Sequence, residues 1–144
     1  MTVTPLALQR ETILLNPRSE CLLMTVILVV EDHAFIRELA EMTIQDWGYQ
    51  TLSAGSVDEA LALLRSPEPI DMLFSDIYLA PTILGGCDLA RQAIGLRPTL
   101  RVLYTSGNFI TDTMKALFVE GSKFLSKPYM PNQLQHSVEA LLAA

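Results

Sequence analysis

The chain has only two cysteines, Cys21 and Cys87, set far apart with no Cys-x-x-Cys or His spacing around either. A zinc site is not expected from that pattern, and a disulfide framework has no support; Cys87 reads as a small, partly buried hydrophobe. Basic charge is scarce as well. Ten Lys and Arg stand against sixteen Asp and Glu, for a formal net charge of −6. A nucleic-acid surface needs a basic patch to displace counterions, so no nucleic-acid partner is expected. The most apolar run, Leu22 to Val30, is far too short to span a bilayer. The N-terminus mixes Arg10, Glu11 and Arg18 among apolar residues and lacks a signal-peptide layout. The chain therefore reads as cytoplasmic, with no membrane partner.

What is present suffices for one domain. The 144 residues are 50% hydrophobic and 18% charged, the composition of a folded globular protein with a real core. Its acidity suits a soluble monomer or weak dimer. Residues 1–24 follow no clear pattern: Pro5 and Pro17 interrupt them, and Leu6, Leu8, Ile13, Leu14 and Leu15 keep no sustained period. They are expected to be a poorly ordered N-terminal extension, with the domain occupying 25–144. A docking arm with a short helix over Leu6 to Leu15 is the competing reading.

From Thr25 the chain alternates regularly. Val26 to Val30 is an apolar, β-branched strand of the kind buried on both faces of a parallel sheet. His33 to Trp47 is helical, with Ile36, Leu39, Ala40, Thr43 and Trp47 as its stripe and Gly48 as its stop. Tyr49 to Ser53 is a second strand. Ser56 with Glu59 forms a capping box ahead of Ala60, Leu61 and Leu64. Asp71 to Ser75 is a short buried strand, followed by Asp76, a loop from Ile77 to Leu84, and Gly85-Gly86. A helix over about Cys87 to Ile94 leads to a strand over Leu100 to Thr105. A helix over about Thr111 to Glu120, a strand over Lys123 to Ser126 and a last helix from Pro131 complete the pattern. Five strands alternating with five helices predict an α/β fold. The sheet is doubly wound, parallel and five-stranded, in the flavodoxin-like order 2-1-3-4-5 with helices on both faces. The last helix runs to the end of the chain, so no second domain is expected.

Chemistry gathers at the strand tips, where open α/β sheets bind ligands. The first strand ends in Glu31 and Asp32, the third in Asp76, the fourth in Ser106 and the fifth in Lys127 before Pro128. Three crowded carboxylates raise one another's pKa unless a cation neutralises them. Oxygen ligands at a water-accessible edge favour Mg²⁺. An aspartate beside such an ion can attack a phosphoryl group and carry it as an aspartyl-phosphate. Lys127 then supplies the fixed cation, the Ser106 hydroxyl a donor, and Gly107 room for the backbone to approach.

Four short matches, in order, carry a resemblance. They are Val29-Val30-Glu31-Asp32, the strand-end Asp76, Thr105-Ser106-Gly107, and Phe124-Leu125-Ser126-Lys127-Pro128. From Val26 onward the chain resembles the receiver domain of two-component response regulators, here of the stand-alone, single-domain type. The resemblance implies that Asp76 is the phosphoacceptor. It implies that Glu31, Asp32, Asp76 and the backbone carbonyl of Tyr78 serve Mg²⁺, Asp32 directly and Glu31 through water. Ser106 becomes the switch hydroxyl, Lys127 the phosphate-pairing lysine, and Phe124 the switch aromatic. The implied partners are a sensor histidine kinase or histidine phosphotransfer protein upstream and a protein target downstream. The domain is then no enzyme in the ordinary sense, since it catalyses only its own phosphorylation and dephosphorylation.

Two features depart from the family. The loop after Asp76 is one residue longer around Pro81, and Tyr78 and Asn108 stand where the family tunes phosphoryl lifetime, so slow self-dephosphorylation is expected. Other classes fit less well. A flavodoxin-type cofactor site needs a Ser/Thr/Gly-rich loop after the first strand, where Glu31-Asp32 would repel phosphate. A haloacid-dehalogenase-type phosphatase carries an Asp-x-Asp there and a cap domain. An interaction module working without phosphorylation is the serious rival. His33 is expected to be an exposed residue of the first helical turn, and His136 a surface residue.

Overall fold

The computed structural model describes residues 25–144; the expectations for residues 1–24 lie outside it. In chain order the elements are β1 (Val26–Val30), α1 (Ala34–Asp46), β2 (Gln50–Ala54), α2 (Val57–Arg65) and β3 (Met72–Asp76). Then come α3 (Gly85–Leu96), β4 (Arg101–Ser106), α4 (Asp112–Lys115), β5 (Lys123–Ser126) and α5 (Pro131–Ala143). All strand pairs are parallel, in the order β2-β1-β3-β4-β5. The predicted architecture is observed. Among the described residues no helix is long and apolar enough to cross a membrane.

The sheet divides two cores. Alternate residues of β1 show why: Leu28 and Val30 face α2 and α3 with Leu61, Leu64, Leu89 and Ala93. Ile27 and Val29 face α1 and α5 with Ile44, Leu134, Val138 and Leu141. Every residue of β1 and β3 is buried, and each fully buried Leu or Ile stabilises the fold by about 1.5–3 kcal/mol relative to exposure. Burial on both faces explains the near-continuous apolar runs of these central strands.

Several boundaries and contacts differ from the expectation, each for a local reason. His33 is the N-cap of α1 and not part of its first turn, its Nδ1 accepting from the Ile36 N–H at 3.5 Å. The α1 stripe is narrower than expected, with Ala40 and Ile44 buried while Ile36 and Leu39 remain exposed. Ser56 caps α2 by accepting from Glu59 N–H, but Glu59 reaches back to Gly55 N–H instead of Ser56. Cys87 is fully buried. His136 is exposed, as expected.

The two largest differences concern α3 and α4. Gly85 and Gly86 are expected just before a helix starting at about Cys87 but form the first turn of α3. A Cβ on Gly86 would collide with the Asp76 carbonyl oxygen, and one on Gly85 with that of Leu79. Only glycines let this helix end sit directly on the end of β3, where Gly86 N–H donates to Ile77 O at 2.9 Å. The helix expected over 111–120 is a single turn, Asp112–Lys115. Past it the bonds tighten to Leu117 N→Met114 O and Phe118 N→Lys115 O. Val119 N–H is taken by the buried Tyr104 hydroxyl at 3.0 Å, and Phe118 stacks on the Tyr104 ring at 4.2 Å. A side chain of the sheet thus captures the amide that a longer helix would need.

Candidate functional site

Register brings the predicted residues to one edge. Asp76 is the last residue of β3 and Ser106 the last of β4, where it pairs in register with Ser126, the residue before Lys127. Lys127 is fixed by its own N–H, which donates to Ser106 O at 2.9 Å. From there its ammonium lies 2.8 Å from Asp76 Oδ2 and 2.8 Å from Glu31 Oε2.

Both carboxylates are buried, Glu31 at 6% and Asp76 at 9% exposure, and their remaining oxygens are also used. Asp76 Oδ1 accepts from Tyr78 N–H at 3.0 Å, and Glu31 Oε1 from His33 N–H at 3.2 Å. Burial pushes the Glu31 carboxyl above the usual range, with the Lys127 ammonium pulling the other way. For Lys127, burial works against its charge, but the bonds to Asp76 and Glu31 outweigh it and hold the ammonium above the ordinary lysine range.

Ser106 is fully buried, and its Oγ accepts from Asn108 N–H at 3.0 Å, which leaves its own hydrogen to donate elsewhere. A Cβ on Gly107 would meet only the Lys127 Cβ, at 3.8 Å; protein packing alone does not require that glycine. Phe124 is half-buried, its ring 6.3 Å from Phe118, so it belongs both to the core and to the rim. Tyr78 is half-buried, and its hydroxyl points at Met114 Sδ, 3.8 Å away.

Asp32 stands apart. It is exposed, takes no hydrogen bond from the described residues and is not drawn onto Lys127. Among those residues no three His, Cys, Asp or Glu form a ready-made metal cluster. The donor chemistry nevertheless fits Mg²⁺. Glu31, Asp32 and Asp76 offer hard oxygens only, and one lysine leaves three carboxylates short of compensating charge.

Sequence reading missed two polar contributors. Thr105 Oγ1 donates to Leu125 O at 2.7 Å and ties β5 to the site. Arg37, one turn into α1, donates from Nη1 to the Glu31 carbonyl at 2.7 Å. Both bonds end on backbone carbonyls, which leave no mark in residue spacing. Beside the acidic pocket, α1 exposes Phe35, Leu39 and Met42. A cavity of about 570 Å³ runs from Ile36 and Leu39 to Lys127 and Pro128.

Residues 27–139 match the response regulator receiver domain. The chain belongs to that family. A probable transcriptional regulatory protein of Picosynechococcus is 32% identical to this receiver domain over 123 residues, covering 81% of this chain and 48% of that protein. The phosphate regulon transcriptional regulatory protein PhoB of Pseudomonas aeruginosa is 28% identical over 119 residues, covering 81% and 51%. A response regulator receiver protein from Sinorhizobium medicae superposes with a TM-score of 0.76 at 29% identity, covering 83% of this chain and 95% of that one. The chain spans about half the length of the curated relatives it matches. Those two relatives are named as transcriptional regulators, so they lend no support to the expected absence of a nucleic-acid partner. Response regulators act in two-component signal transduction, with histidine kinases upstream and targets downstream. Receiver domains are signalling domains and not classical enzymes.

Proposed function

We propose that this receiver domain accepts a phosphoryl group on Asp76 from the phosphohistidine of a kinase or phosphotransfer partner. One observation carries the reading: Lys127 reaches Asp76 and Glu31 at 2.8 Å each. A cation held against Asp76 supports the reading, because the oxygens of an Asp76-borne phosphoryl group would need one. An Asp76 oxygen attacks phosphorus, the bond to the donor imidazole breaks, and the imidazole leaves with a proton. Ser106 has a free hydroxyl hydrogen to offer the same group. Glu31, Asp32, Asp76 and the Tyr78 carbonyl would hold Mg²⁺, which when bound neutralises charge on the phosphoryl oxygens. The exposed apolar face of α1, bordering the pocket, suits the apolar side of a partner helix.

Phosphorylation is read out by a two-state repacking. The phosphoryl oxygens draw in Ser106 and Lys127, and the face made by α4, β5 and α5 adjusts around Phe124. The test is incubation with a small-molecule phosphodonor and Mg²⁺, comparing intact masses of wild type and Asp76→Asn. The reading expects one phosphoryl mass on wild type only. No gain in either protein would favour an interaction module that works without phosphorylation.

A further inference from the structure

The acidic turn after β1 is pinned at three points, and one of them depends on a side chain with no other evident task. Glu31 N–H donates to Ala54 O at 3.2 Å, Glu31 Oε1 accepts from His33 N–H, and the Glu31 carbonyl accepts from Arg37 Nη1 at 2.7 Å. That carbonyl lies in the peptide plane joining Glu31 to Asp32, so holding it holds the plane from which the Asp32 side chain departs. Asp32 has no hydrogen bond of its own among the described residues to set its aim.

Gly55 leaves room for the Arg37 guanidinium. An added Cβ there would lie 2.9 Å from Arg37 Nη1, so the guanidinium, the free end of a flexible side chain, would have to shift by a few tenths of an ångström and loosen its bond to the Glu31 carbonyl. Its backbone does not need glycine, since the positive-φ glycines among the described residues are Gly48 and Gly121. Its N–H is held by Glu59 Oε2 at 2.7 Å, which keeps the space in place.

We infer that Arg37, seated over Gly55, is the positioning residue that aims Asp32 at the acidic pocket and so sets the pocket's affinity for a divalent cation. The inference deepens the phosphoacceptor reading and rests on it for the role of Mg²⁺. Outer-shell partners of metal ligands commonly change affinity by tenfold or more, and roughly tenfold weaker binding is expected here.

The test is a Mg²⁺ titration of the full chain, with no phosphodonor, followed by amide NMR shifts. Variants are Arg37→Gln, Gly55→Ala, the double variant and Asp32→Asn, with thermal melts in parallel. Arg37→Gln should weaken Mg²⁺ binding roughly tenfold and Gly55→Ala by less, while melting stays close to wild type. The double variant should be no weaker than Arg37→Gln, because the methyl acts only by displacing the guanidinium. Wild-type affinity in Arg37→Gln, or additive losses in the double, would overturn the inference. If wild type and Asp32→Asn bind Mg²⁺ equally poorly, the fault lies with the cation-site reading beneath it.

Discussion

Lys127 meets Asp76 at 2.8 Å across 51 residues of sequence, and the same ammonium holds Glu31. Removing it leaves two buried carboxylates facing each other without a cation. Lys127→Met should cost about 2 kcal/mol in urea unfolding at neutral pH. That is below the range for fully buried pairs, because the lysine side chain keeps 21% of its surface exposed. The pH dependence follows from two raised pKa values. The folded-state value of Lys127 is raised, so its contribution is fully present below about 10.4, the ordinary lysine value, and is lost as pH rises through the folded value. Wild type should therefore show an alkaline loss of stability that Lys127→Met lacks. Glu31 is also raised, so its protonation favours the folded state at acidic pH. The gap between variant and wild type should narrow as pH falls.

The single turn of α4 rests on Tyr104. Tyr104→Phe keeps the stacked ring but removes the bond to Val119 N–H. A loss of about 1 kcal/mol is expected, as for one hydrogen bond. Hydrogen exchange at the Val119 amide should quicken, with the β1 and β3 amides little changed. Protection of Val119 equal to wild type would show that another acceptor holds the segment.

Gly86→Ala tests the seat of α3. Its Cβ would meet the Asp76 carbonyl oxygen and the Ile77 Cα, both backbone atoms that cannot swing aside. A destabilisation of about 1–3 kcal/mol is expected, the range for an overpacked core. The thermal midpoint checks it.

On the proposed phosphoacceptor reading, the bulk of Tyr78 is expected to keep water from an acyl phosphate on Asp76. Its hydroxyl contact with Met114 ties the side chain to α4. Tyr78→Asn removes both ring and tether and should shorten the phosphoryl half-life several-fold. An unchanged half-life would remove Tyr78 from the control of hydrolysis.

The strands and their tips were legible because their signals are short-range. A buried β-branched run ending in a carboxylate, as in Val26 to Glu31, needs no partner to be recognised. Asp76, Glu31, Ser106 and Lys127 gathered as expected because a parallel sheet brings all strand ends to one side. What stayed hidden was decided by contacts distant in sequence. The fate of α4 hangs on the Tyr104 hydroxyl, 15 residues from the amide it captures. Gly85 and Gly86 fall outside the expected helix because their close approach to the end of β3 is visible only in three dimensions. The apolar residues of α1 read as core because periodicity cannot tell a buried stripe from one left open for a partner. Asp32 groups with Glu31 and Asp76 as a strand-end carboxylate, and nothing in the sequence separates it from Glu31, yet its side chain is exposed and outside the ion pairs of Lys127.

Chemical trapping of the phosphorylated residue bears most directly on the role of Asp76. After treatment with a small phosphodonor and Mg²⁺, borohydride reduction converts an aspartyl-phosphate to homoserine, which peptide mass spectrometry locates. Homoserine at position 76, absent when phosphodonor is omitted, is the expected result. Homoserine at Asp32, with position 76 unmodified, would contradict it.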